Sequence, residues 1–121
     1  DIHTNAKAIN RMDLLVGFSA TSLSQNFVRP ELTNNPELEI NQGRHPVVEQ
    51  LLPSAEKFIP NDLSMDSTIN QIHLITGPNM AGKSTYLRQV GLIVLMAQIG
   101  SFVPANSAKI GVADKLFTRV G

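Results

Sequence analysis

The chain has 121 residues, 42% of them hydrophobic, and ten Lys and Arg balance ten Asp and Glu. That is room for one domain and not two, and a charged fraction of only 17% excludes a chain kept unfolded for want of apolar surface. Without cysteine, disulfides, thiolate nucleophiles and Cys-type zinc or iron–sulfur sites are excluded, and a reducing, cytoplasmic setting fits.

Residues 2–23 place Ile2, Ala6, Ile9, Met12, Val16, Ala20 and Leu23 at steps of three or four, which predicts an amphipathic helix with one buried face. Pro30, Asn34-Asn35 and Pro36 then predict a break, with Phe27-Val28 able to start a short strand. Leu38-Glu39-Ile40 alternates, Asn41-Gln42-Gly43 has turn composition and Val47-Val48 follows, which together predict a small antiparallel piece. Residues 53–60 are irregular, and 61–67 suit a loop or a short edge strand. The β-rich run 69–76 tightens into Leu74-Ile75-Thr76 before a glycine, as a buried strand of a parallel sheet would.

A second helix is predicted over 83–100, with so little polar surface in its later half that burial on most sides is expected. Gly100 stands where a left-handed cap would end it. Its apolar stretch 92–99 is far short of the roughly 20 residues of a membrane span, and the N-terminus lacks a signal pattern, so no membrane is expected. Lys109-Ile110 and 115–120 suggest two last strands. Charge divides at Lys83, with five basic and nine acidic residues before it and five basic residues and only Asp114 from there on. Scattered solvated charge explains so small an excess better than a nucleic-acid face does.

Between the predicted strand and helix stands Gly77-Pro78-Asn79-Met80-Ala81-Gly82-Lys83-Ser84, a full match to G-x-x-x-x-G-K-[ST] in the strand–loop–helix context that pattern requires. Gly77 and Gly82 allow backbone conformations closed to residues with a Cβ, so successive N–H groups can form an anion nest at the positive end of a helix. Lys83 supplies a compact charge for outer phosphates, Ser84 a hydroxyl for Mg²⁺, and Thr85 a hydroxyl and N–H for inner phosphates. Hydrolysis needs in addition an acidic residue ending a second apolar strand, yet the one carboxylate after Gly82 is Asp114, preceded by Gly111-Val112-Ala113. The 37 residues after Ser84 can add one helix and about two strands, so the sequence is expected to be truncated. His45, beside a Gly-Arg turn, suits a structural hydrogen-bonding role, and the three dispersed histidines have no metal-site spacing.

The loop and its continuation, Gly77 to Val90, resemble the nucleotide-binding domain of the MutS family of DNA mismatch-recognition proteins. So do 98–105 (Gln-Ile-Gly-Ser-Phe-Val-Pro-Ala), 39–48 (Glu-Ile-Asn-Gln-Gly-Arg-His-Pro-Val-Val) and 116–121 (Leu-Phe-Thr-Arg-Val-Gly). The resemblance implies an α/β fold: an incomplete P-loop NTPase domain of the ABC type with a small antiparallel β piece and an N-terminal helix. Residues 1–24 would be the end of a helical lever, and 25–121 the N-terminal part of the ATPase domain. It implies ATP or ADP with Mg²⁺ as cofactors, Lys83 as the catalytic residue and Gly77, Pro78, Asn79, Met80, Ala81, Gly82, Lys83, Ser84 and Thr85 as the phosphate cradle. Asn79 would lie near the γ-phosphate and Ser84 would ligate Mg²⁺. Phe58 matches the family aromatic that stacks on adenine, with Ile59 giving backbone contacts to the base edge. The implied partners belong to the parent protein: mismatched double-stranded DNA, a second subunit in a homodimer and a MutL-type repair protein, in a bacterial, nucleoid-associated setting. The mismatch-reading domains, the acidic second nucleotide motif, the signature loop and the dimerisation helices have no counterpart in this sequence. Two alternatives stay open: a non-hydrolytic nucleotide-binding fragment and a small P-loop kinase-like protein, for which Arg119 is the single arginine after Arg88.

Overall fold

In the computed structural model, residues 1–78 and 81–119 are described. The expectations for Asn79 and Met80, and for Val120 in a last strand, lie outside them. The predicted first helix, α1 (Ile2–Ser24), starts on the Asp1 carboxylate, which accepts from the His3 N–H at 3.2 Å. It ends in a Schellman arrangement: Asn26 takes φ 52° and the Phe27 N–H reaches the Ser22 carbonyl at 2.9 Å. Its expected buried face is not buried. Ser22 is the one buried residue of the helix, and Ile9, Met12 and Val16 are about two-thirds exposed. The reason is geometric, since among the described residues only the last turns meet other elements, where Leu15, Phe18 and Leu23 share a shallow groove with Phe27 and Phe102.

Among the described residues four strands form one mixed sheet: β1 (Glu31–Thr33), β2 (Glu37–Gly43), β3 (Asn61–Asp66) and β4 (Ser107–Gly111), in the order β1-β4-β2-β3. β2 pairs antiparallel with both β3 and β4, and β1 pairs parallel with β4. The antiparallel expectation thus holds for 38–40, and 61–66 is an edge strand. Register aligns Met65, Leu38 and Ile110 in one row and Leu63, Ile40 and Ala108 in the next, all on one face because side chains alternate along a strand. The other face carries Glu39 opposite Lys109 and Ser64, and Lys109 pairs with Glu37 at 3.1 Å. Residues 41–43 are not a free turn but the bulged end of β2, where the register shifts and Gln42 takes φ 51°. Val47-Val48 does not extend the sheet; α2 (Val48–Leu51) is a single helical turn.

The second helix, α3 (Lys83–Gln98), lies on the apolar face of the sheet. Ile93 and Ala97 join Ile40, Leu63, Ala105, Ala108, Ile110 and Val103 in the core, with Tyr86, Val90 and Met96 packed against it. Full burial of Ile93 stabilises by about 1.5–3 kcal/mol. Gly100 caps the helix at φ 84°, with Ser101 N–H on the Met96 carbonyl and Gly100 N–H on that of Ala97, as its position predicts. The prediction of burial on most sides fails, because one sheet covers one side, and Leu87, Leu95 and Ile99 stay about half exposed. Residues 69–76 form no strand, and Ile69, Ile72 and Leu74 are almost fully exposed. A parallel strand needs hydrogen-bonding neighbours, and among the described residues no strand runs beside this segment. Residues 115–119 also pair with nothing among the described residues.

Among the described residues two sets of hydrogen bonds join α1 and its exit to this body. Val28 and Val103 exchange backbone hydrogen bonds at 2.9 Å, and the Arg44 guanidinium donates to the carbonyls of Gln25 (3.1 Å) and Asn26 (3.0 Å). Among the described residues no helix is long and apolar enough to cross a membrane.

Candidate functional site

Gly82 stands at the head of α3 with φ 86°, a left-handed conformation that strains any residue with a Cβ, and its carbonyl accepts from the Tyr86 N–H at 2.9 Å. The chain thereby turns from the loop directly into the helix, and the unpaired N–H groups of its first turn mark its positive end. Ala81 N–H is 3.4 Å from the Pro78 carbonyl. Lys83 folds back across the loop: its ammonium donates to the Gly77 carbonyl and, at 3.1 Å, to that of Pro78. Ser84 is exposed and Thr85 half-buried. The arrangement could offer phosphate an ammonium and a helix N-terminus, and among the described residues no carboxylate pairs with Lys83.

Phe58 is half-buried and Ile59 80% exposed. The Asn61 side-chain amide donates to the Ile59 carbonyl at 3.0 Å, which fixes the backbone just after the aromatic. One residue on, the Asp62 carbonyl accepts from the Tyr86 hydroxyl at 3.2 Å. That bond joins the first turn of α3 to the start of β3, and so the loop to the Phe58–Ile59 segment. The Asp62 carboxylate is itself held, accepting from the backbone N–H (2.7 Å) and side-chain amide (3.0 Å) of Gln42. Those two bonds lower its pKa, while burial and then the Asp62 charge raise that of Tyr86 and keep the phenol a donor. Gln42 and Tyr86 lie in the stretches 39–48 and 77–90 that carry the resemblance, but no site role is expected of either from sequence, and Asp62 lies in no motif; the one available signal is that Tyr86 follows the Gly-Lys-Ser-Thr run.

His45 is buried, and its Nδ1 accepts from the N–H groups of Val47 (3.3 Å) and Val48 (3.2 Å), capping α2. Burial pushes its pKa below 6.5, its own backbone hydrogen bond opposes this, and the Arg88 charge adds to it. It is the structural histidine its setting predicted. Asp114 stands at the wrong end of α3: Ala113 N–H donates to the Gln98 side chain in the last turn of the helix, about 20 Å from Lys83 at a rise of 1.5 Å per residue. Among the described residues no group of three His, Asp or Glu could hold a metal. Among the described residues the Ser84 hydroxyl at the head of α3 could serve a Mg²⁺ ion as one ligand, the others being brought by phosphate and water.

A family model described as MutS domain V matches residues 73–121. Over 120 residues, 99% of this chain, the sequence is 57% identical to the DNA mismatch repair protein MutS of Bacteroides thetaiotaomicron and 55% identical to that of Acetivibrio thermocellus. It is 51% identical over the same length to the MutS of Salinibacter ruber. The chain spans about 14% of the length of the first two relatives and 13% of the third.

Proposed function

This chain belongs to the MutS family, and we propose that it forms the ATP-binding part of a P-loop ATPase domain serving DNA mismatch repair. The observation that carries the reading is the closed loop itself: a left-handed Gly82 opens α3, and Lys83 spans the loop to Gly77 and Pro78. Phosphate would draw the ammonium off those carbonyls, and the α3 N-terminus would share the load. Ser84 would hold Mg²⁺, which supplies charge neutralisation to the phosphates when bound. Phe58 would stack on adenine, with the Ile59 backbone at the base edge. Lys83 would act on the reacting phosphates. The exposed run Ile69, Ile72, Leu74 and the exposed side of α3 around Leu87 and Leu95 suit a larger parallel sheet, the P-loop NTPase core, laid against both.

Mismatched double-stranded DNA, a homodimeric partner and a MutL-type protein are proposed as partners of the full-length protein. For these residues by themselves the reading is nucleotide binding without turnover, because Asp114 sits at the far end of α3 from Lys83. Single-turnover ATP hydrolysis measured beside equilibrium ATP binding tests this. The expected result is Lys83-dependent binding with no hydrolysis; hydrolysis by this chain, lost in Lys83→Ala, refutes it.

A further inference from the structure

We infer that Tyr86 is a positioning residue whose hydroxyl sets the separation between the base-stacking segment 58–61 and the phosphate loop, so that it governs affinity for the whole nucleotide and not for its phosphates. The inference rests on the nucleotide-binding reading above. Tyr86 lies three residues after Lys83 and two after Ser84, in the first turn of α3, and its ring packs on the core while its hydroxyl donates to the Asp62 carbonyl. Asp62 is four residues after Phe58, and between them the Asn61 amide holds the Ile59 carbonyl. The loop helix and the base segment are far apart in sequence; among the described residues no strand pairing joins them, and their other link is the core that Leu63 and Ile93 share.

The acceptor end of this link is itself held in place. The Asp62 carboxylate takes two hydrogen bonds from Gln42, a residue with a side chain held at φ 51° in the β2 bulge. A left-handed non-glycine persists only where its surroundings fix it. Gln42, Asp62 and Tyr86 therefore form one brace from the central strand to the loop helix. A ligand that touches only the loop does not sense the brace; one that touches the loop and Phe58 together does.

The test is Tyr86→Phe in the full-length protein, which keeps the ring and removes the hydroxyl, with Kd measured for ATP and for inorganic tripolyphosphate. ATP affinity should fall roughly 3- to 10-fold, the equilibrium equivalent of one neutral hydrogen bond, and tripolyphosphate affinity should not change. Gln42→Met, which removes one of the two bonds holding Asp62, should shift ATP affinity in the same direction by less. If the two ligands weaken together, or neither changes in a variant that melts like the wild type, Tyr86 is structural only and the inference is overturned. If the folded wild-type protein binds neither ATP nor tripolyphosphate, it is the nucleotide-binding reading that fails, which overturns this one with it.

Discussion

Lys83 donates from its side-chain ammonium to the carbonyl of Gly77, at the opposite end of the loop that the two residues bound. The contact is on the surface and involves no carboxylate, so a phosphate that offers the ammonium a charged acceptor displaces it readily. Lys83→Ala should lower ATP affinity about 10- to 100-fold, the range of a charge-assisted hydrogen bond, while thermal stability moves by no more than about 0.5 kcal/mol. Titration calorimetry and a melting curve on the same sample check both halves. Undiminished ATP binding would remove Lys83 from the site.

Stability should depend on pH through His45. Its folded pKa lies below the ordinary 6.5, so the fold binds the neutral ring. The contribution is complete above pH 6.5 and declines as pH falls below that value toward the depressed folded pKa, because the unfolded chain takes up the proton first. Protonation at Nδ1 would also abolish the acceptor that caps Val47 and Val48. His45→Ala should cost about 1 kcal/mol at neutral pH, as loss of a cap does, and should flatten this pH dependence. Urea midpoints at three pH values across the window decide it.

Two glycines should respond in opposite senses to alanine. A Cβ on Gly111 would lie 2.5 Å from the Asn35 carbonyl oxygen and 3.2 Å from both the N and O of Glu37, so backbone would have to move, at about 1–3 kcal/mol. A Cβ on Gly17 meets nothing within 4 Å in the middle of α1, and Gly17→Ala should stabilise that helix by about 0.5–1 kcal/mol. Equal effects of the two in chemical denaturation would contradict the packing described for the β1–β2 connection.

Asp66 is expected to titrate at about 2, held down first by the Thr68 hydroxyl and then by the N–H groups of Ile69, Thr68 and Asn70. A depressed carboxylate stabilises the fold above its unfolded pKa near 3.8, and the turn after β3 loses this support as pH falls through about 2. Carboxyl-carbon NMR gives the value directly. Thr68→Val removes the largest contributor and should raise it, while Ser67→Ala should not.

The spans of α1 and α3 and the end of α3 were legible because periodicity and capping are local: Gly100 takes the positive φ its position predicts, while the left-handed Asn26 that ends α1 was not foreseen. β1 was not, since three residues carry little pattern and its partner β4 stands more than seventy residues on. Residues 69–76 have the composition of a buried strand, but composition does not supply the neighbour that a strand must pair with. At the candidate site, the left-handed turn at Gly82 was legible because few residues other than glycine adopt that conformation. The Tyr86–Asp62 bond was not, because its acceptor is a backbone carbonyl 24 residues away, and any residue has one.

The bulged exit of β2 has a mechanical meaning. Gln42 braces Asp62 and through it the head of α3, while Arg44, two residues on, grips the tail of α1 at Gln25 and Asn26. Gly43 between them has no room for a Cβ, with Gln89 Nε2 and Ile40 Cγ2 each 2.8 Å from where one would sit. A 23-residue helix is a rod of about 35 Å. Held at its tail by Arg44 and by the Val28–Val103 pair, it turns a sideways force along its length into a torque there; those bonds feel it first, and the Gln42–Asp62–Tyr86 brace stands next in line behind Arg44.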